Sequence, residues 1–261
     1  MERKFQQNQE TKFQESAGQE VLFHSFPFLK EKGHVISIVG GGGKTTLMYT
    51  LANCYAGKGM RVLVTTTTHI RRPLKYPVAE DREELEQLLK RYPIVVAGAD
   101  APEKKLKMPE CMDISDYMAL ADVILIEADG AKCLPCKIPS EKEPVIPKEC
   151  DIVIGVMGMD TVGQPLGEIC FRRERAAQLL KVDEQHFVTE EDMANILSSD
   201  WGTRKGVENR EYYVVLNKCD DEQRMRRGEA VRAMLARSGI IKTVCISLQK
   251  FYAQGRDEKN E

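Results

Sequence analysis

Four consecutive glycines, Gly40 to Gly43, stand between a β-branched apolar run, VISIV at 35–39, and Lys44-Thr45-Thr46. No other stretch restricts the fold as strongly. VISIV reads as a buried strand. Beyond the glycines, Leu47, Leu51 and Cys54 recur at helical spacing, as do Met48, Ala52 and Tyr55, and Gly57 and Gly59 stop that helix. RVLVT at 61–65 is the next strand. A strand, glycine turn, helix and strand of this size make one right-handed βαβ crossover. The glycines Gly40, Gly41, Gly42 and Gly43 let the backbone bring its amides close to a phosphate. The following helix aims its N-terminal dipole at the same point. Lys44 is expected to stand exposed at the loop and to reach the β- and γ-phosphates of a nucleotide. Thr45 is placed to bind Mg²⁺ through its hydroxyl, and Thr46 to bond the α-phosphate. A full GxxxxGK[ST] motif would need glycine at 38, where Ile38 stands, so the motif is GxxGKTT, two residues shorter.

The alternation continues. DREELEQLLK at 81–90 reads as an amphipathic helix and IVVAG at 94–98 as a short strand. Pro109 opens a helix through Leu120. DVILIEAD at 122–129 is a buried strand. The stretch 130–150 carries Pro135, Pro139, Pro144 and Pro147 without periodicity and reads as a long loop. DIVIGVMG at 151–158 is another buried strand. Helices follow at 173–181 and 190–198, the second capped by Thr189. YYVVLN at 212–217 is a strand, 222–237 a helix, and TVCISL at 243–248 the last strand. Continuously apolar strands alternating with helices mean a mostly parallel sheet covered on both faces. The expected class is therefore α/β, three layers, P-loop NTPase-like, with a short phosphate loop. The division expected is a disordered leader at 1–20, a single domain at 21–252 that can accommodate a helical insert at 172–210, and a frayed tail at 253–261.

Composition narrows the function. Lys plus Arg is 38 and Asp plus Glu is 40, a net charge of -2. Coating DNA or RNA needs surplus positive charge, so no nucleic-acid partner is expected. No apolar run approaches the ~20 residues that span a bilayer, so no membrane partner is expected either. The 8 cysteines are scattered, and the first twenty residues lack the apolar core of an export signal, so reduced thiols in the cytoplasm are expected.

In a parallel sheet, ligands gather at the carboxyl ends of the strands. Thr65, Thr66, Thr67, Thr68 and His69 follow the second strand, and their four hydroxyls and imidazole are expected to face the γ-phosphate or a second substrate. Glu127 and Asp129 follow the next. One is the Mg²⁺ partner and the other positions a water or a substrate hydroxyl; spacing leaves open which is which. With Lys44 they are the catalytic candidates. Asp160 follows the strand at 151–158, and Arg172 beside Arg173 could clamp phosphate. Asn217, Lys218, Cys219 and Asp220 form NKxD, the pattern that reads guanine in GTPases. Cys133 and Cys136 form a CxxC near Cys150, but no second pair completes a metal set, and metal binding there stays open.

The short glycine loop looks like that of Mur ligases and folylpolyglutamate synthetases. Over 35–220 the chain resembles the YqeC family, accessory proteins of selenium-dependent molybdenum hydroxylases. The resemblance rests on VGGGGKTT, VLVTTTTHI, IEADGAKCLPCKIPSEKEPVIP, VIGVMGMDTVGQPL and LNKCD. It departs from the family at Cys133, Cys136 and the stretch 171–173. It implies a P-loop NTPase fold and a part in maturing a molybdenum hydroxylase. The expected function is then Mg²⁺-dependent hydrolysis of GTP, favoured over ATP, gating delivery of selenium or molybdenum cofactor to a client. Two alternatives stand beside it: an ATP-dependent kinase, nucleotidyltransferase or ligase, and a non-catalytic nucleotide-binding scaffold.

Overall fold

Eight parallel strands carry the fold in a computed structural model that describes residues 20–249. The leader expected at 1–20, apart from Glu20, and the tail expected at 253–261 lie outside the described residues. The strands are β1 (Val35–Gly40), β2 (Val62–Thr66), β3 (Val78–Ala79), β4 (Ile94–Ala97), β5 (Val123–Glu127), β6 (Ile152–Gly158), β7 (Glu211–Asn217) and β8 (Thr243–Cys245). Their order is β8-β7-β6-β1-β5-β2-β4-β3, every pairing parallel.

Alternate residues of these strands fill two apolar layers. Ile36 and Ile38 of β1, Val62 and Val64 of β2 and Val123 and Leu125 of β5 pack under helix α1 (Lys44–Gly57) through Leu47, Met48 and Leu51. Val35 and Val39, Leu63, Ile124 and Ile126 face the other way, against Leu85 of α2 (Arg82–Leu89) and Tyr117 of α3 (Ile114–Leu120). Under β7 that second layer continues through Val214 and Leu216. They meet Met193 and Ile196 of α5 (Glu190–Ser198) and Val231 and Leu235 of α6 (Glu222–Arg237). Each such side chain contributes roughly 1.5–3 kcal/mol on burial, which is why strands with no polar face are stable only inside such a sandwich.

Several expectations are corrected here. The helix expected from Pro109 starts at Ile114, because Asp113 and Asp116 close a reciprocal capping box. The stretch expected as a bare loop at 130–150 contains a short strand, Cys136–Lys137, paired with Cys170–Phe171. The last strand ends at Cys245 rather than continuing to Leu248. The segment 172–210, where a helical insert could be accommodated, holds the helices α4 (Arg173–Leu180) and α5 between β6 and β7, and both pack into the layer beneath those strands. Thr189 caps α5 as expected, again with a capping box, to Asp192.

Candidate functional site

Because every strand points the same way, the turns after β1, β5, β6 and β7 emerge on one edge. The glycine loop lies in their midst. Gly42 has φ +75°, and a Cβ there would stand 2.3 Å from Gly158 N; at Gly43 (φ +125°) it would stand 2.4 Å from Asn217 Nδ2. Only glycine meets both demands, a left-handed backbone and near contact with the neighbouring strand ends. Gly41 N–H donates to Val156 O and Gly42 N–H to Leu134 O, which moors the loop to β6 and to the chain following β5. Helix α1 begins at Lys44 with no side chain capping its first turn, so its N-terminus faces the same edge as the loop.

Lys44 is not exposed as expected. Its ammonium folds back, donating to Gly40 O at 2.7 Å and standing 3.1 Å from Asp129 Oδ1, with the side chain only 5% exposed. Gly40 O and Asp129 compensate the charge within the protein. Thr45 Oγ1 donates to Glu127 Oε2 at 2.7 Å. Burial pushes the Glu127 carboxyl above the ordinary carboxylate range, while the Lys44 charge and the Thr45 hydrogen bond pull against it. Thr46 lies half-buried one residue on.

The two acidic candidates differ in their partners. Glu127 meets the Thr45 hydroxyl. Asp129 is enclosed: Oδ2 accepts from Gly40 N–H at 3.1 Å and stands 3.0 Å from the ammonium of Lys137. Lys137 was not among the residues read from the sequence. Its side chain is fully buried, and its ammonium bridges Asp129 and Glu143 at 3.0 and 3.1 Å. Burial pulls that ammonium below the usual lysine range, and the two carboxylates hold it up. Glu143 is completed by Arg172 at 2.5 Å. Burial would raise its carboxyl, but the Arg172 hydrogen bond and the Lys137 charge hold it down to about 2. Arg172 thus lies one ion pair behind Lys137, and its place on the edge is indirect.

Asn217 spans two parts of the edge. Its Nδ2 donates to Gly42 O at 2.7 Å and its Oδ1 accepts from Leu248 N–H at 3.1 Å, so it braces the glycine loop against the chain leaving β8. Lys218 (φ +62°) pairs with Asp160 at 2.5 Å. Asp220 Oδ1 accepts from Ser247 Oγ at 2.5 Å, and Oδ2 pairs with Arg224 at 3.3 Å. Ser247 is a second residue the sequence reading missed.

The threonine cluster is a correction. Thr65 donates to Ala97 O, Thr66 to Glu127 O and Thr67 to Val145 O, so three of the four hydroxyls satisfy carbonyls of neighbouring chain rather than facing a ligand. Thr68 is half-buried, its N–H donating to Thr66 Oγ1, and His69 is exposed. The three loop cysteines diverge: Cys133 is exposed, while Cys136 packs in the apolar cluster beneath β6 and β7 and Cys150 in the one beneath β1 and β5. Among the described residues no group of three or more His, Cys, Asp or Glu could hold a metal ion. The Thr45 hydroxyl and Glu127 carboxylate, side by side, are hard oxygen donors of the kind Mg²⁺ takes beside a nucleotide's phosphates. Asp129 differs: its Oδ2 is engaged by Lys137 and the Gly40 N–H, and its Oδ1 faces Lys44.

With this geometry in hand, the chain can be set beside known proteins. The YqeC protein family matches residues 36–174, over half of the chain, and the chain belongs to that family. "Uncharacterized protein YqeC" of Escherichia coli (strain K12) is 42% identical over 136 residues, 49% of this chain; the match spans about half the relative's length, 53%. Solved structures to which the chain is similar include HypB from Helicobacter pylori in complex with nickel, 12% identical, covering 94% of this chain and 90% of that one, TM-score 0.39. The hydrogenase maturation factor HypB from Archaeoglobus fulgidus is 13% identical over 94% of each chain, TM-score 0.35. A GTPase from Pyrococcus abyssi in apo form is 12% identical, covering 86% of this chain and 96% of that one, TM-score 0.39. Among the described residues no helix is long and apolar enough to cross a membrane.

Proposed function

We propose that this sheet edge binds a magnesium nucleoside triphosphate, GTP in preference to ATP. On this reading the chain hydrolyses it as an accessory factor in maturing a selenium-dependent molybdenum hydroxylase. The observation that carries the nucleotide reading is the Thr45–Glu127 hydrogen bond of 2.7 Å beside a glycine loop whose lysine is already turned onto it. The client is the one that the family resemblance implies.

On this reading Lys44 leaves Asp129 for the phosphate oxygens when nucleotide enters. Asp129 can release it because Lys137 and the Gly40 N–H still compensate its other oxygen. Thr45 and Glu127 would hold Mg²⁺, which supplies charge neutralisation at the phosphates. Asn217 keeps the glycine loop in register with the turn that carries Asp220. The Asp220 carboxylate, oriented by Ser247, accepts from the N1 and N2 donors of guanine.

A competition series of GTP, ATP, CTP and XTP tests the base. The parent should prefer GTP, and Asp220→Asn should shift preference toward XTP by about 10–100-fold, because a buried hydrogen-bond set that no longer matches is costly. ATP bound as well as GTP by the parent, with no shift in the variant, rejects guanine recognition and favours the ATP-dependent kinase or ligase reading.

A further inference from the structure

Two thiols meet beneath the 217–220 turn. Cys219, inside NKCD, is buried, and Cys245, which ends β8, is half-buried. Cys219 N–H donates to Ile246 O at 3.1 Å, so the turn and the chain leaving β8 run side by side. The two thiols stand close enough for each to shift the other's ionisation. Both sulfurs rest on Gly228 of α6, where a Cβ would stand 3.1 Å from Cys245 Sγ and 3.2 Å from Cys219 Sγ. An interior helix position without a side chain thus leaves room for a sulfur pair. Cys245 also lines an open cleft of about 360 Å³ together with His24, Tyr213, Arg232 and Lys242. Arg232 pairs with Glu229 of the same lining and Lys242 with Glu211, so the cleft presents compensated charges and is open to a small disulfide.

We propose that Cys219 and Cys245 are an oxidation site, closed to an intramolecular disulfide by a small disulfide such as oxidised glutathione, and that closure displaces Asp220. The site itself is independent of the nucleotide; its consequence rests on the guanine reading above. The neighbouring Cys219 thiol and burial push the Cys245 thiol up, so it is the small thiolate fraction of this cleft-facing residue that attacks the reagent, forming a mixed disulfide and expelling one thiolate, which takes up the proton Cys245 gave up. Cys219, as the thiolate, then attacks the Cys245 sulfur and expels the second, which takes up the Cys219 proton. Two protein thiols are oxidised and one reagent disulfide is reduced to two thiols. An S–S bond is ~2.05 Å long, so Cys219 must give up its hydrogen bond to Leu216 O and move toward β8. Asp220 follows it in sequence, and Ser247, which orients Asp220, lies two residues past Cys245. The bond therefore pulls on both ends of that contact. Cys136 and Cys170 form a similar pair on adjacent strands, but both are enclosed, and they should stay reduced.

The test treats the reduced full chain with oxidised glutathione, blocks remaining thiols and digests with trypsin without reductant. Peptides 219–224 and 243–250 separate Cys219 from Cys245. They should be recovered joined, with the loss of two hydrogens. The dissociation constant for a fluorescent GTP analogue should rise about tenfold and recover with dithiothreitol. Cys245→Ser should bind as the reduced parent does and lose both responses. Glutathione adducts at the exposed Cys111 and Cys133 with no 219–245 link would overturn the site. A link with unchanged GTP affinity would overturn the displacement. A reduced chain that binds no guanine nucleotide would contradict the guanine reading, while the peptide link would still decide the oxidation site.

Discussion

Two turns of the same sheet edge hold their charges in different ways. Around the glycine loop the charges are enclosed: the Lys44–Asp129 pair is 5% and 3% exposed, and Lys137 is fully buried between two carboxylates. At the 217–220 turn they stand in water's reach: the Lys218–Asp160 pair is 37% and 28% exposed, and Arg224 beside Asp220 is 38% exposed. Enclosed charges must be compensated one for one, because the partner left behind cannot be solvated. Exposed pairs exchange with water at little cost. The phosphate half is thus built as one linked network, and the base half as contacts that can be altered singly. That division suits a site in which the loop fixes binding and the far turn selects the base.

The largest expected effect separates the two halves directly. Lys137→Met leaves Asp129 and Glu143 each short of a buried partner and should cost about 3–5 kcal/mol in urea unfolding. Lys218→Met should cost about 1 kcal/mol or less. Equal losses would erase the distinction. Next comes chemistry within the enclosed half. Glu127→Gln should slow single-turnover hydrolysis about 100-fold while changing nucleotide affinity only a few-fold, since a carboxylate acting on developing charge matters most in the transition state. A variant that hydrolyses at the parent rate places the catalytic group elsewhere. The smallest effect is with acid. Glu143 is held from its ordinary 4.5 down to about 2. A carboxyl depressed on folding contributes stability that is complete above the unfolded pKa and is lost as pH falls toward the folded one. Urea midpoints should therefore decline between about pH 4.5 and 2, and Arg172→Met should flatten that decline. An unchanged acid limb in the variant would remove Arg172 from the network.

The central fold was legible because its signals are local. VISIV, four glycines and KTT fix a strand, a turn and a helix start within a dozen residues. Helix α6 and the Thr189 cap were read on the same grounds. What the sequence hid depends on residues brought together from afar. The threonines after β2 read as ligand groups, yet the carbonyls that take their hydroxyls come from β4, β5 and the chain near Val145. Lys137 sat in a proline-rich stretch with no periodicity; its one clue was its position between the apolar Cys136 and Ile138. Ser247 was counted inside the last strand. Once β8 ends at Cys245, Ser247 becomes a residue just beyond a strand end, where ligand groups gather. Glu127 and Asp129 are found together but not told apart, because of the lysines that claim Asp129 one is distant in sequence, Lys44, and the other, Lys137, lies in a stretch without periodicity.

The most direct test of the account is a calorimetric titration of the parent and of Lys44→Ala with magnesium GTP. The parent should bind, and the variant should lose affinity by at least about 100-fold, some 2.7 kcal/mol. Its urea midpoint should fall, because Asp129 loses one of its two buried lysine partners, so affinity is compared in buffer where the variant is folded. Unchanged affinity in the folded variant would contradict the account, for it would take the glycine loop out of the nucleotide site.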